Sequence, residues 1–315
     1  MSLYLVTGGA GFIGSHLPEE LIRRGEQVRV ADSLITGHRT NLAHLSGVDF
    51  IEGDLAELDV ARRAVKGVDY VLHQAAIPSV PRSVEDPITS NRANIDSTLN
   101  VLVAARDARV KRVVYAGSSS AYGNTPTMPK HEEMPTHPLS PYALQKLVGE
   151  QYMQMFTTLY GLETVTIRYF NVFGPRQDPT SPYSGVISIF AKALLENTPP
   201  TIYGDGEQTR DFTYVANVVD GVLRAVTAPG ASGHVVNVAT GTSISLNRLF
   251  ASMRGIVGSR LEVTYGPVRS GDVKDSLADI TRARTLLGYE PLVSFEAGLK
   301  KTVEWYREQF GGGRS

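Results

Sequence analysis

Tyr142 stands four residues before Lys146, and three consecutive serines, Ser118, Ser119 and Ser120, lie upstream of the pair. On a helix, residues at i and i+4 share a face, so the Lys146 ammonium can sit near the Tyr142 phenol and favour its ionised form. A phenolate made in that way can act as a base near neutral pH. Taken alone, a tyrosine and a lysine at this spacing are an ordinary surface pair. The rest of the chain gives them a setting.

The first residues read MSLYLVTGGAGFIG, an apolar run Leu3–Val6 that breaks at Thr7 into glycines at positions 8, 9, 11 and 14. Gly8, Gly11 and Gly14 can give a strand, a tight turn and a helix start whose free N–H groups face a pyrophosphate. The spacing is GxxGxxG, not the GxGxxG of other dinucleotide folds. A second short apolar strand, Gln27–Ala31, ends at Asp32, where a carboxylate can accept hydrogen bonds from an adenosine ribose. An acid there favours NAD, because the extra phosphate of NADP would meet like charge.

The elements that must carry these residues follow from the pattern. Short apolar strands at Leu3–Val6, Val28–Ala31, Val48–Glu52, Tyr70–His73, Arg112–Ala116 and Thr164–Arg168 alternate with helical segments such as Ile88–Ala108 and Pro141–Leu159. That alternation predicts an α/β fold, a Rossmann-like, doubly wound parallel sheet covered on both faces. Pro18 falls in the expected first helix, where it should cost a backbone hydrogen bond and bend the helix near the glycine turn. After about Asn171 the chain becomes rich in glycine, proline and shorter elements. The organisation expected is a cofactor domain over residues 1–170 and a smaller, mainly substrate-binding C-terminal lobe over residues 171–315. Arg210–Val226 reads as a strand or turn leading to a helix, and residues 211–236 are expected to pack back on the first domain. The Gly311–Ser315 tail is expected to fray.

Composition excludes several classes. At 315 residues and 42% hydrophobic, the chain can bury a real core. A net charge of −1, from 31 basic and 32 acidic residues, gives no electrostatic footprint for nucleic acid or an anionic membrane. Without cysteine there is no disulfide, thiolate nucleophile or Cys-ligated zinc. No signal segment and no membrane-spanning run are read, so a cytoplasmic setting is expected.

Seven stretches now carry a resemblance. TGGAGFIG, HQAAIPSVPRS at His73–Ser83, GSSSAYG at Gly117–Gly123, YALQK at Tyr142–Lys146, RYFNVFGPRQDP at Arg168–Pro179, GDGEQTRDF at Gly204–Phe212 and RSGDVKDSLAD at Arg269–Asp279 together resemble the extended short-chain dehydrogenases that epimerise nucleotide-linked sugars. The resemblance runs from about Leu3 to Trp305. Within that family the chain is most similar to the UDP-N-acetylglucosamine and UDP-glucose 4-epimerases. It implies NAD held by Gly8, Gly11, Phe12, Ile13, Gly14, Asp32, Asp54, Leu55, Ala75, Ala76, Tyr142 and Lys146. It also implies that the Tyr142 phenolate takes the proton of the sugar 4-hydroxyl while carbon 4 gives its hydride to NAD+, leaving a 4-ketose whose other face takes the hydride back. Lys146 would lower the Tyr142 pKa and hold the nicotinamide ribose, and Ser118 would share the substrate proton.

The substrate positions carried by the same resemblance are Ser79, Ser119, Ser120, Asn171, Gln177, Gly185, Tyr203, Arg210, Arg269, Asp272 and Ser276. Arg210 and Arg269 match positions that grip the diphosphate, as suits a planar donor fork. Asn171 matches a donor to phosphate oxygen, Asp272 a partner of the uridine ribose, and Tyr203 a platform for uracil. Ser276 and Gly185 match walls beside the sugar, where small side chains leave space for an N-acetyl group. Pro78 departs from the glycine of close relatives. Sugar dehydratases and decarboxylases of this family carry an acid in the turn held here by Ser119 and Ser120, and reductases usually use NADPH. Glucuronate epimerases tend to place an arginine where Asp178 stands. A noncatalytic NAD-binding scaffold is the alternative outside enzymes. The helices around Ile88–Ala108 and Pro141–Tyr160 resemble those through which the family forms two-fold dimers, so a homodimer is expected.

Overall fold

The computed structural model describes residues 1–179, 185–268 and 274–310. Arg269 and Asp272, two of the expected substrate residues, and the expected frayed tail lie outside the described residues.

Seven strands form one parallel sheet: β1 (Leu3–Thr7), β2 (Gln27–Asp32), β3 (Val48–Glu52), β4 (Tyr70–His73), β5 (Arg112–Ser118), β6 (Glu163–Tyr169) and β7 (Val235–Val238). Their order across the sheet is β7-β6-β5-β4-β1-β2-β3, with every neighbouring pair parallel. The chain reverses its direction of travel across the sheet at β1 and β4, the place where open α/β sheets leave a crevice at their carboxyl ends. The glycine turn leaves β1 at that crevice, and His73 to Ala76 leave β4 beside it.

Side chains alternate between the two faces of each strand, so one sheet feeds two cores. Tyr4, Val6, Val28, Val30, Leu72 and Val114 point toward helices His16–Arg23 and Val215–Thr227. Leu5, Ala31, Val71, Val113 and Tyr115 point toward helices Leu58–Val65, Ser97–Asp107 and Pro141–Tyr160. A third core, built on Phe173, Phe190, Phe212, Phe250, Phe295 and Tyr306, holds helices Val186–Glu196, Leu246–Val257 and Phe295–Phe310 together. Helix Val215–Thr227 buries Val218 and Val222 completely under the sheet, each contributing about 1.5–3 kcal/mol by the area removed from water.

Three features differ from the sequence-based expectation. Pro18 costs no helical hydrogen bond, because the helix begins at His16 and Pro18 falls in its first turn, where backbone N–H groups have no partner within the helix. The segment expected as one helix over Ile88–Ala108 is divided into Pro87–Asn91, a π-helical stretch Arg92–Asp96 and Ser97–Asp107. Strand β7 extends the sheet beyond the six strands expected and pairs with β6.

Candidate active site

Helix Pro141–Tyr160 starts where it does because Ser140 caps it, its hydroxyl accepting the Ala143 N–H at 3.2 Å, with Pro141 pre-set at the first helical position. Gly161 ends it in the left-handed conformation at φ 67°. A second N–H of the first turn, that of Tyr142, is taken by the Ser83 hydroxyl at 3.0 Å. Tyr142 and Lys146 therefore stand on one face in the first two turns, toward the end of β5, where Ser118 opens the tight turn Ser119–Tyr122. The Ser118 hydroxyl accepts the Ser120 N–H at 3.2 Å and lies 2.8 Å from the Ser120 hydroxyl.

The electrostatics correct one expectation. Burial raises the Tyr142 phenol above its ordinary pKa, opposed only by a hydrogen bond with Ser118. Lys146 does not lower it in the protein alone: its ammonium donates to the Ala116 carbonyl at 2.9 Å, and burial brings its own pKa down to about 7. Partial burial of Tyr142 at the cavity wall and full burial of Lys146 each shift the equilibrium toward the neutral form.

A cavity of about 340 Å³ opens at the crevice between β1 and β4. Gly8, Gly11, Phe12, Ile13, Gly14, Asp32, Asp54, Leu55, Ala75, Ala76, Tyr142 and Lys146 all line it. The glycines are needed sterically. Gly8 takes φ 64°, and a Cβ on Gly14 would lie 2.1 Å from the Gly8 carbonyl oxygen. Asp32 is fixed by its neighbours, accepting the N–H of Ala10 at 2.9 Å and of Leu34 at 2.8 Å. Gln74, which the sequence reading passed over inside HQAA, also lines this cavity; it accepts the Tyr169 hydroxyl at 2.8 Å, while its own amide nitrogen is buried with no partner among the described residues. A glycine cradle at one wall, a fixed carboxylate at the far end of β2 and an orphaned amide donor fit a dinucleotide that runs from Asp32 to Lys146.

A larger cavity of about 790 Å³ meets the first at Tyr142 and is lined by Ser79, Ser118, Ser119, Ser120, Asn171, Gln177, Gly185, Arg210 and Ser276, together with Pro78 and Asp178. Asn171, Gln177, Gly185 and Arg210 also line a third cavity of about 460 Å³, at whose wall stands Tyr203. Arg210 donates to the carbonyls of Thr209 and Lys274 at 2.8 and 3.0 Å, and Asn171 donates to the Asp211 carbonyl at 3.4 Å. Ser276 is held by its N–H on the Thr209 carbonyl at 3.1 Å. Lys130 and Asp275 are additional wall residues. No spacing marked them, since the loops carrying them meet only in the fold: Lys130 pairs with Ala278 as an isolated bridge. Among the described residues no cluster of His, Asp or Glu could hold a metal ion, and no helix is long and apolar enough to cross a membrane.

Comparison with known proteins agrees with this geometry. A family model described as the NAD dependent epimerase/dehydratase family matches residues 4–239. A UDP-glucose 4-epimerase of Mycolicibacterium smegmatis is 40% identical over 310 residues, covering 97% of this chain and 98% of the relative. Among solved structures, a UDP-N-acetylglucosamine 4-epimerase from Methanobrevibacter ruminantium in complex with UDP-N-acetylmuramic acid superposes with TM-score 0.94 at 41% identity, covering 98% of this chain and 99% of that one. The Thermus thermophilus UDP-glucose 4-epimerase complex with NAD superposes with TM-score 0.89 at 37% identity, covering 97% and 99%.

Proposed function

The chain belongs to the NAD dependent epimerase/dehydratase family, and from that premise we propose that this NAD-dependent isomerase is a 4-epimerase of UDP-hexoses that interconverts UDP-GlcNAc and UDP-GalNAc and, to a lesser degree, UDP-Glc and UDP-Gal. The observation that carries the reading is the junction at Tyr142, where a cavity fit for a dinucleotide meets one of about 790 Å³ that continues toward Arg210 and Tyr203. Bound NAD+ supplies a reversible acceptor for the hydride of carbon 4, so the reaction consumes no cofactor.

The protein's own residues supply the proton handling. Tyr142, as phenolate, takes the proton of the sugar 4-hydroxyl and returns it after the sugar has presented its other face. Ser118, whose hydroxyl acts to lower the pKa of that phenol, shares the proton. Lys146 offers its ammonium to the cofactor ribose and lends positive charge to the cavity that Tyr142 also lines. Arg210 and Asn171, with Arg269, bind the diphosphate, and Tyr203 and Asp272 receive the nucleoside. Ser276 and Gly185 leave the sugar wall open to an N-acetyl group; a Cβ on Gly185 would approach the Gln177 amide to 3.1 Å.

Rival chemistries fit the cleft less well. Ser119 and Ser120 put no carboxylate in the turn beside Tyr142, which disfavours elimination of water. Asp178 lines the sugar cavity and would repel the carboxylate of a uronic acid. The division of labour proposed is a cofactor domain over residues 1–170, joined by residues 211–236, and a sugar-binding lobe over the remainder of 171–315. A homodimer is part of the reading, since Val84, Ile88, Leu144, Met155 and Leu159 are all exposed apolar residues on helices Val80–Glu85, Pro87–Asn91 and Pro141–Tyr160.

The test is to incubate purified protein with each UDP-sugar, with no added cofactor, and to separate the 4-epimers. Interconversion of the acetylated pair, together with NAD released on denaturation, is the expected result. Stoichiometric consumption of added NADPH with no epimer formed would replace the epimerase by a reductase.

A further inference from the structure

Lys146 has three N–H donors and is 4% exposed, yet among the described residues its ammonium has one hydrogen-bond acceptor, the Ala116 carbonyl, and no carboxylate within ion-pair distance. Burying an ammonium so sparsely partnered is costly. What lies against it is a ring: the Lys146 nitrogen sits 4.9 Å from the centroid of Tyr115, a residue of β5 that is 1% exposed.

The ring is itself fixed from behind. His73 stacks on Tyr115 with centroids 5.7 Å apart and planes 27° from parallel. His73 cannot turn, because its two nitrogens are engaged in one determined order. Thr98 spends its hydroxyl proton on the Asn94 carbonyl at 2.7 Å, so it must accept from His73 Nε2 at 3.0 Å. The Thr7 hydroxyl, which accepts the N–H groups of Gln74 and Ala75, then donates to Nδ1 at 2.7 Å. Burial and the nearby Lys146 hold His73 neutral, with its pKa pushed down to about 3. On the helix side, only a glycine makes room for the Tyr115 hydroxyl, since a Cβ on Gly149 would stand 2.3 Å from it.

We infer that Tyr115 is a positioning residue for Lys146: its ring face, locked in plane by His73, is the platform that holds the ammonium charged beside the cofactor cavity. Tyr115 touches neither cavity and acts only through the lysine. A leucine would fill a sheet face equally well as core, but it has no negative ring face for a cation. The titratable and charged groups around the lysine are Tyr142 and Glu150 on its own helix, Tyr115 and His73 on the sheet, and Tyr169, which lines the same cavity. Glu150 is committed to Arg168, so no free carboxylate takes over the role of the ring.

This inference rests on the proposed role of Lys146, and one set of variants separates the two. Lys146→Met, Tyr115→Phe, Tyr115→Leu and a ring-fluorinated phenylalanine at position 115 are compared by pH–rate profile, and the lysine ammonium is titrated directly by NMR with isotope-labelled lysine. The fluorinated ring keeps the shape of Phe while drawing charge from its face. Tyr115→Phe is expected to keep the wild-type lysine pKa, whereas the fluorinated ring and Tyr115→Leu lower it by about one pH unit. In those two variants the alkaline limb of kcat shifts down to match, kcat falls about tenfold at the wild-type optimum, and KM changes less than twofold. Equal lysine pKa values in the Phe and fluorinated variants would overturn the platform. If Lys146→Met turned over at the wild-type rate, the proposed role of Lys146 itself would fail. Should Tyr115→Leu not fold, the fluorinated and Phe variants decide the matter by themselves.

Discussion

Arg168 of β6 and Glu150 of helix Pro141–Tyr160 form a two-pronged ion pair inside the protein, with contacts of 2.9 and 2.6 Å and side chains 3% and 7% exposed. The same guanidinium lies 4.5 Å from the ring centroid of Tyr122, at the end of the serine turn. One pair thus ties the helix of Tyr142 and Lys146 to the turn of Ser118. Glu150→Ala should leave a buried guanidinium without its carboxylate, a loss of about 3–5 kcal/mol. Urea unfolding of wild type and variant measures this; a change under 1 kcal/mol would show that water replaces the lost partner.

Tyr142→Phe should lower turnover by about 10²–10⁴-fold while UDP-sugar binding stays nearly unchanged, because it deletes the proton acceptor and keeps the ring. Ser118→Ala should cost less, since Tyr142 remains. Single-turnover rates with calorimetric binding constants separate the two effects, and a Tyr142 variant of near-normal rate would end the proposed acid–base scheme.

Ser276→Tyr should close the sugar wall to an N-acetyl group. The expected signature is a fall in kcat/KM for UDP-GlcNAc that exceeds the fall for UDP-Glc by at least about tenfold, as a steric clash of a few kcal/mol requires. If the two sugars lose equally, Ser276 does not gate the substrate.

His16 is half-buried, and its Nε2 lies 3.0 Å from the Pro175 carbonyl. Burial first, then the Arg176 charge, bring its pKa from 6.5 down to about 4. Between those values the unfolded chain binds a proton that the folded chain refuses, so stability rises with pH across that window. The stabilisation is complete above about pH 6.5 and is lost as the pH falls toward 4. His16→Gln, which keeps an N–H for Pro175, should make the loss shallower, with His73, whose pKa falls from 6.5 to about 3, still contributing across the same window and on below it. Urea midpoints measured across that range test it, and parallel curves for the two proteins would exclude His16 as a source.

The residues that share a local period were the legible ones. Tyr142 and Lys146 could be placed together because a helix fixes which neighbours meet, and Gly8 and Gly14 because a side chain at either would run into backbone. Strand β7 escaped notice because its run Val235–Val238 is interrupted by Asn237, a polar residue that looks exposed in sequence. In the fold it is buried and accepts the Tyr122 hydroxyl at 2.7 Å. The sign of the Tyr142 shift was hidden for a related reason: spacing shows that a cation is near, while the burial that raises the phenol is set by helices and strands far away in the chain. Lys130 and Asp275 belong to loops brought together only by tertiary contact.

The cavity proposed for the sugar and the one proposed for the nucleoside share Asn171, Val172, Gln177, Gly185 and Arg210. In the proposed reading the joint between them holds the diphosphate partners Asn171 and Arg210 together with the sugar-wall residue Gly185, whereas Ser276 and Pro78 line the larger of the two cavities and not the smaller. Under that reading the enzyme is modular. A lineage can retune which hexose it accepts by changing wall residues such as Ser276 or Pro78, while the grip on the nucleotide and the proton chemistry at Tyr142 pass down unaltered.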